Sequence, residues 1–476
     1  MSNIKLHDRG EKIIYNIVNP GTFFTIFILI FQAIRSRNLK QFSTLLFLDS
    51  MAFALLVNSG YFIKIGSLML EYEEVLIILF LLSFFINFGS NQIDKKIFLK
   101  GIILIVVTII GVFTLLLTAH PNTMVVPIGA SWDAYYAGKN VMIPLSFSSA
   151  NLERVFRIIL FVLIGLSIKD ILQSGQNLVA KSLFYITSIQ ILIGIIDLIS
   201  KLIFNLPVIP TFSKLFFGVG PSQYTGLSMR AGLPIIQGFM KEPSHYANSF
   251  IPALTYLALL KNKNQKLIII EFLSILILLL SGSFTGFGII LYWFLLRSYN
   301  FIMNSRLGKF PSFLVVIVIF LLVVGFVQIL SYNFTIIDYY LNRFYGLLGT
   351  APSVGSEAIR LMSITYSYKL FFKYPLFGIG IGSSIAHGFM PNLLANMGII
   401  GFFSWLIFSF DAFLIKNNIV GNLSILIIFI FMMNFLGDIG WAYNMMGVSM
   451  LIGLYIGTSN ISAVQNAKVG KKEGIA

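Results

Sequence analysis

The sequence predicts an all-α polytopic membrane protein. Of its 476 residues, 57% are hydrophobic and 11% are charged, and the mean hydropathy is +0.89. A soluble domain has roughly 45–50% apolar and roughly 25% charged residues. So few charges do not cover a water-exposed surface, which excludes most soluble enzyme classes. The chain also lacks cysteine, so disulfides, thiolate metal sites and cysteine nucleophiles are excluded.

Apolar runs long enough to cross a bilayer follow one another along almost the whole chain. A helix needs about 20 residues to cross about 30 Å of hydrocarbon, and about thirteen runs reach or approach that length, which predicts about 12–14 transmembrane helices. Residues 1–476 are therefore expected to form a single integral membrane domain. The runs cover residues 15–34, 42–63, 73–90, 99–119, 155–173, 182–204, 245–260, 267–281, 284–296, 312–331, 392–415, 420–436 and 443–459.

The distribution of Lys and Arg predicts the side of each connection, because cytoplasmic loops accumulate these residues. The chain carries 33 Lys and Arg against 18 Asp and Glu, a net charge of +15. Basic clusters such as residues 35–40, 95–100 and 261–266 define the cytoplasmic face. Nucleic acid is not expected as a partner, because the chain has no soluble basic domain to hold it.

Three long connections, about 120–154, 205–244 and 332–391, are expected on the extracytoplasmic side. Connections of this length are usually functional or disordered, and their Tyr, Phe, Pro and Gly content favours ordered structure. The second and third carry basic residues on the side where Lys and Arg are normally scarce. This excess predicts an anionic ligand at membrane height, such as a lipid-linked phosphate or pyrophosphate. The basic residues counted are Lys201, Lys214, Arg230, Lys241, Arg343, Arg360, Lys369 and Lys373.

The second connection places several ionisable residues just before a span. Arg230, Lys241, Glu242 and His245 fall within one short stretch. An Arg presents a fork of donors that matches phosphate oxygens, and Glu or His can accept a proton from a hydroxyl group. These residues are candidates for binding and proton transfer. The alternative is a solvated loop whose charges pair with one another.

The third connection contains Arg343 and then a predicted amphipathic helix from about 357 to 372, lying on the membrane surface and presenting Arg360 outward. In that helix the side chains expected on the apolar side are those of Ile359, Met362, Tyr366 and Leu370, and those expected on the polar side are Arg360, Ser363 and Ser367. A glycine run at 378–382 follows, then His387 and Asn392. The glycines either permit close packing or mark a broken helix whose free amides line a polar cavity.

The segment 131–136 is rich in aromatic residues and has two interpretations. Its Trp132, Tyr135 and Tyr136 are suited to stacking on sugar rings, but an interfacial aromatic belt is the favoured interpretation. No metal site and no nucleotide cofactor is expected. The sequence has no His-Glu-x-x-His, no phosphate-binding Gly-x-x-x-x-Gly-Lys motif and no Asp-x-Asp, and these are the spacings that such sites use.

Several stretches together resemble the repeat-unit polymerases of O-antigen and other polysaccharides (Wzy type), and their order and spacing carry the resemblance. Residues 374–382 (YPLFGIGIG) lie in a pattern that those polymerases share with O-antigen ligases. The chain departs from the family at Phe284, where an Arg is frequent, and at Asn392, which follows His387 at a distance. The matching stretches are Asn19-Pro20, Arg230 with 238–244 (GFMKEPS), 281–286 (SGSFTG), and Arg360 with 374–382, His387, Gly398 and Gly401.

The resemblance implies a GT-C-like, metal-independent glycosyltransferase at the outer face of the cytoplasmic membrane, without a cofactor. Its donor and acceptor would be undecaprenyl-pyrophosphate-linked oligosaccharides, and its partners would include membrane lipid and a separate chain-length regulator. Fixed cations would stabilise the departing pyrophosphate, with His387 as the first candidate for the base and Glu242 as the second. The expected pyrophosphate-binding residues are Arg230, Arg360, Arg343, Lys241, His245 and Asn392. Arg230, Arg360 and His387 are expected to share one cleft.

Two other functions stay open at this point. An O-antigen ligase would share the Arg and His connection but transfer the glycan to a lipid core, and the Glu242-Pro243-Ser244 stretch favours the polymerase. A transporter or flippase for polysaccharide or lipid-linked sugar would also need many spans and a basic cavity. Its charges would be expected along the spans, whereas here they concentrate in two outer connections.

Overall fold

In the computed structural model, the described residues are 18–57, 60–65, 68–87, 94–117, 120–127, 132–219, 229–230, 233–260, 263–304, 310–317, 356–413, 425–428, 430 and 444–458. Most of them are helical. Five helices are long and apolar enough to cross a membrane: Leu39–Leu56, Lys95–Leu117, Gly175–Leu202, Thr285–Asn304 and Phe389–Phe413. The predicted class, a helical membrane-embedded protein, is confirmed. The predicted spans 312–331 and 420–436 lie largely outside the described residues.

The elements with defined bounds are mostly helices, and three short antiparallel strand pairs lie among them. The helices are α1 (Pro20–Arg35), α2 (Leu39–Leu56), α3 (Tyr72–Asn87), α4 (Lys95–Leu117), α5 (Trp132–Tyr136), α6 (Ser149–Leu202), α7 (Val208–Phe217), α8 (Pro243–Asn248), α9 (Ile251–Leu259), α10 (Gln265–Leu280), α11 (Phe284–Asn304), α12 (Ser356–Lys373), α13 (Phe389–Phe413) and α14 (Met445–Thr458). The strands form three antiparallel pairs, β1 (Tyr61–Ile65) with β2 (Leu68–Glu71), β3 (His120–Val125) with β4 (Ile143–Leu145), and β5 (Met229–Arg230) with β6 (Leu233–Pro234). The all-α prediction did not include these hairpins.

The chain divides into two compact units. The first comprises residues 1–92, 171–253 and 268–286, and the second comprises 93–170, 254–267 and 287–476. Each unit is described by itself below. The prediction of a single domain stays a prediction.

The first unit is organised around the start of α1. Asn19 caps this helix, because its side-chain oxygen accepts the amide of Thr22 at 3.2 Å, and Pro20 occupies the first helical position. The Asn19 amide also donates to the carbonyl of Tyr61 at 2.7 Å, which fastens the β1–β2 hairpin to the cap. Phe53 stacks on Tyr72 with ring centres 5.2 Å apart, so α2 and α3 share an aromatic core with this cap.

Some predicted spans differ from the observed elements. The predicted spans 155–173 and 182–204 correspond to two helical segments of α6, which are separated by a kink at Gly175 with non-helical φ −134° and ψ 20°. The segment after the kink, Gly175–Leu202, is one of the five that are long and apolar enough to cross a membrane. The predicted span 245–260 is instead the two short helices α8 and α9, and Pro252 removes one backbone donor from the start of α9.

In the second unit, α13 packs against α4 and α12. The predicted helix at 357–372 is observed as α12, but the predicted separation into an apolar and a polar face is not. Ser363 and Ser367, expected on the polar side with Arg360, are buried together with Ile359 and Leu370. The small serine side chains allow close helix packing, and Ser363 satisfies its hydroxyl on the carbonyl of Arg360 at 2.9 Å.

Candidate functional site

The segment that follows α12 docks on a break in α13. Gly398 has φ 65° and ψ −172°, which interrupts the helical hydrogen bonds there. The amides of Ile399 and Ile400 donate instead to the carbonyls of Pro375 and Leu376, at 2.8 and 3.2 Å. The backbone groups freed by the break are therefore satisfied by the docked segment and do not line an open cavity.

The glycine run permits this docking. Gly378, Gly380 and Gly382 have φ values of 68°, 85° and 87°, which side-chain-bearing residues rarely adopt. A Cβ at Gly378 would lie 2.5 Å from the carbonyl oxygen of Ala395. One at Gly382 would lie 2.6 Å from that of Ala150. Of the two interpretations of the run, close backbone packing is the one observed.

One serine brings Arg360 and His387 together. The Ser363 hydroxyl donates to the carbonyl of Arg360 at 2.9 Å and accepts the amide of His387 at 3.1 Å. The backbone of His387 is thus fixed one helical turn from Arg360. Both side chains are half-buried. A guanidinium can bind an anion and an imidazole can accept a proton, which is the chemistry predicted for these two residues.

Two asparagines fix the approach to His387. Asn392 is fully buried and its amide donates to the carbonyl of Ala386 at 3.0 Å. Asn396, one turn further along α13, donates to the carbonyl of Ser384 at 3.0 Å and accepts the Ser384 amide at 3.1 Å. The structure therefore gives Asn392 contacts with the backbone that precedes His387. Its predicted contact with substrate stays a prediction.

Trp132 supports the same segment from the other side. Its indole nitrogen donates to the carbonyl of Ile385 at 2.7 Å, and the residue is 2% exposed. Its ring packs 5.7 Å from that of Tyr366. Both predictions for Trp132, stacking on a sugar and membership of an interfacial belt, are wrong, because the ring is buried in the unit. Burial and the nearby Tyr135 raise the pKa of Tyr366, whose hydroxyl donates to the carbonyl of Met124.

In the first unit, a buried ion pair holds residues 235–238, the segment that leads to Glu242. Lys201 and Asp197 lie one turn apart on α6, 3.0 Å from nitrogen to oxygen, with side chains 1% and 0% exposed. The Lys201 ammonium also donates to the carbonyl of Ile235 at 2.7 Å. The Asp197 carboxylate accepts the amides of Gln237 and Gly238 at 3.0 and 3.3 Å. The prediction that Lys201 adds positive charge to an outer loop is wrong, because the residue is buried and paired.

The candidate residues of this segment surround the start of α8. Glu242 precedes Pro243, the first residue of the helix, and its carboxylate accepts the hydroxyl of Ser244 at 3.3 Å. Lys241, Glu242 and His245 are all half-buried. The structure therefore groups these three predicted residues at one partly accessible surface.

Two predicted residues are described less fully. The backbone of Arg230 lies in β5, paired with Leu233, but its side chain lies outside the described residues. Arg343 lies in the range 318–355, also outside them. Arg230 belongs to the first unit, whereas Arg360 and His387 belong to the second. The expectation that these three residues share one cleft stays a prediction.

Sequence reasoning named Lys201 and Asn392 but missed their pairing with Asp197 and Asn396, although a signal for it was present. Asp197 with Lys201, and Asn392 with Asn396, are polar pairs four residues apart within apolar runs, and such pairs lie on one helix face. Among the described residues, no three His, Asp or Glu side chains are grouped so that they could hold a metal ion. No protein-family model matches the chain, and no curated protein matches its sequence.

Proposed function

We propose that the chain is a metal-independent glycosyltransferase that polymerises undecaprenyl-pyrophosphate-linked oligosaccharides at the outer face of the cytoplasmic membrane. The observation that supports this most is the Ser363 bridge, which holds His387 beside Arg360 in a membrane-embedded chain. A GT-C-like architecture, with ordered outer connections above the spans, belongs to the same proposal. The repeat-unit motifs of the sequence lead to the polymerase rather than to another glycosyl transfer.

The proposed reaction is a displacement at the anomeric carbon of the donor. The acceptor hydroxyl oxygen forms the new bond to this carbon, while the bond from the carbon to the pyrophosphate oxygen breaks. Undecaprenyl pyrophosphate leaves with the electron pair, and the hydroxyl proton passes to the imidazole of His387. Arg360 binds the leaving pyrophosphate, on which negative charge increases in the transition state.

The first unit contributes further groups in this proposal. Glu242 is the second candidate for the base, and Arg230, Lys241 and His245 are candidates for binding the lipid pyrophosphate. Asp197 and Lys201 hold the segment before Glu242 through hydrogen bonds to the backbone of Ile235 and Gln237. The reaction needs no cofactor, because both the glycosyl group and its leaving group are supplied by the donor.

Complementation of a strain that lacks this chain tests the proposal. Arg360→Ala and His387→Ala should each abolish long-chain polysaccharide on gels, because removing a general base costs about 100–10,000-fold in rate. Lys139→Ala is the control, since Lys139 is an exposed residue of the same unit that is not expected to bind the substrate. Immunoblots of membranes must show equal amounts of all variants.

The residual glycan distinguishes the alternatives. A polymerase defect leaves a single repeat unit on the acceptor, whereas a ligase defect leaves no glycan on the lipid core. Normal long-chain polymer in the Arg360→Ala or His387→Ala strain, at wild-type protein levels, would contradict the assignment of these residues. A transporter defect would instead leave lipid-linked repeats on the cytoplasmic side of the membrane.

A further inference from the structure

A cavity of about 300 Å³ lies in the second unit between the carboxyl end of α4 and the segment that follows α12. This volume is at the lower end of the range found for ligand pockets, about 300–1,000 Å³. Most of the lining is apolar, and among its described residues the one charged group is the ammonium of Lys373. The lining includes Thr114, Leu115, Lys373, Tyr374, Phe377 and Ile379.

The wall of the cavity is fixed by backbone contacts. Gly111 of α4 lets the Phe377 carbonyl approach, since a Cβ at Gly111 would lie 3.1 Å from that oxygen. On the far side of the segment, Ile379 donates to the carbonyl of Ala395 at 2.9 Å. The same segment is held at the break in α13 by the hydrogen bonds described above. The cavity is therefore formed by an anchored segment rather than by side chains alone.

Lys373 provides the positive charge of the cavity. Its ammonium donates to the Thr123 hydroxyl at 2.7 Å and lies 5.5 Å from the centre of the Tyr374 ring. Thr123 is in turn hydrogen-bonded to the Tyr374 hydroxyl at 2.7 Å. Within the described residues, no carboxylate lies within ion-pair distance of Lys373. Its charge is thus oriented by neutral groups and available to an anion.

The surroundings of the cavity are those of a lipid-facing surface. Leu376, which lines it, is 57% exposed, and Leu117 at the end of α4 is 78% exposed. The helix α4 is one of the five that are long and apolar enough to cross a membrane. A ligand that matches both the apolar wall and the ammonium needs an anionic head and a hydrocarbon chain.

We propose that this cavity binds the phosphate and the first isoprene units of a polyprenyl carrier, namely that of the acceptor. The inference rests on the proposed function, because polymerisation needs two lipid-linked substrates. Thirteen residues of α12 separate Lys373 from Arg360, which corresponds to about 20 Å along the helix. The reacting hydroxyl of the acceptor is at the far end of its oligosaccharide, so the acceptor lipid must bind at a distance from Arg360 and His387.

Equilibrium binding to the full chain in nanodiscs tests this site without requiring turnover. The probes are labelled polyprenyl phosphate, the uncharged polyprenol and phosphatidylglycerol. All measurements use the Arg360→Ala background, which weakens the site expected for the departing pyrophosphate. Lys373→Gln should weaken polyprenyl phosphate binding by about tenfold or more, because a charge-assisted hydrogen bond is lost. The same variant should leave polyprenol binding unchanged.

Two further variants complete the test. Thr114→Trp should weaken both isoprenoid probes by filling the cavity, and Thr114 is exposed, so the larger side chain does not disturb the core. Lys139→Gln is the control and should leave all binding unchanged, because Lys139 is an exposed residue of the same unit outside the cavity lining. Unaltered polyprenyl phosphate affinity in Lys373→Gln would overturn the site, and equal Lys373-dependent binding of phosphatidylglycerol would overturn the choice of the carrier. Loss of polymer in His387→Ala is measured separately, so either proposal can fail alone.

Discussion

Neutralising one partner of the buried Asp197–Lys201 pair gives the sharpest prediction about stability. Both side chains are buried, and the pair makes three further hydrogen bonds to the backbone of residues 235–238. Replacing one partner leaves the other as an uncompensated buried charge, which typically costs about 3–5 kcal/mol. Asp197→Asn and Lys201→Met should each destabilise the first unit by about this amount.

The double variant separates the pair from its individual groups. Asp197→Asn combined with Lys201→Met removes both charges and keeps the approximate side-chain volumes. The unfolding free energy that the double variant loses should be well below the sum of the two single losses. Each single variant leaves one unpaired buried charge, and the double variant leaves none. We expect a coupling energy of about 2–3 kcal/mol, within the range observed for residues in contact.

Reversible unfolding in detergent micelles, followed by the accessibility of a cysteine introduced at Phe239, measures these costs. Phe239 immediately follows the tethered residues 235–238 and is half-buried, so the accessibility of a cysteine at this position reports release of that segment. Glu153→Gln serves as a control, because Glu153 forms a half-exposed surface pair with Arg157 that should contribute less than about 1 kcal/mol. Strictly additive single costs, or single costs near that of the control, would refute the reasoning.

Three other predictions concern the second unit. Gly398→Ala should cost at least about 3 kcal/mol in unfolding free energy, because its Cβ would lie 2.2 Å from the Leu376 carbonyl at a positive φ. Trp132→Phe should cost about 1–3 kcal/mol in the same assay, since the Ile385 carbonyl loses its donor. Burial favours the neutral form of Asp94, but two backbone amides and Lys169 lower its pKa. Asn keeps the cap of α4 but loses the negative charge, so Asp94→Asn should cost less than about 1 kcal/mol at neutral pH, and this difference should shrink in unfolding measured at lower pH, as the pH falls through the lowered pKa.

The spans are the part of the fold that the sequence predicts best. Lys95–Leu117 and Phe389–Phe413 lie within a few residues of the predicted runs 99–119 and 392–415. A bilayer needs a long run of apolar residues, so composition alone locates such helices. The runs 155–173 and 182–204 were likewise predicted as separate spans, and the backbone of α6 departs from helical geometry between them, at Gly175.

The roles assigned to Arg360 and His387 stay predictions, and sequence reasoning did not anticipate what holds these residues. The structure joins their backbones through the Ser363 hydroxyl. Trp132 was misassigned because an aromatic residue near a span has the same sequence signature whether it faces lipid, a sugar or the core. Its burial follows from long-range packing against Tyr366, which no local pattern reveals.

The outer charge was overestimated for a similar reason. Lys201 lies at the end of an apolar run, where a solvated position is the usual expectation. Its partner Asp197 lies one turn earlier on the same helix, and that spacing was readable in the sequence. The hydrogen bonds to Ile235 and Gln237 involve a segment that is distant in the sequence. These contacts were therefore not readable from the sequence.

Stoichiometry of the purified chain with lipid-linked repeat units tests the central claim most directly. The measurement counts new sugar–sugar bonds and released undecaprenyl pyrophosphate, in the presence of a metal chelator and without nucleotide. We expect one undecaprenyl pyrophosphate to be released for each sugar–sugar bond formed. The His387→Ala variant should lose both bond formation and release. Movement of lipid-linked sugar across the bilayer without any bond formation, or full turnover by the His387→Ala variant, would contradict the central claim.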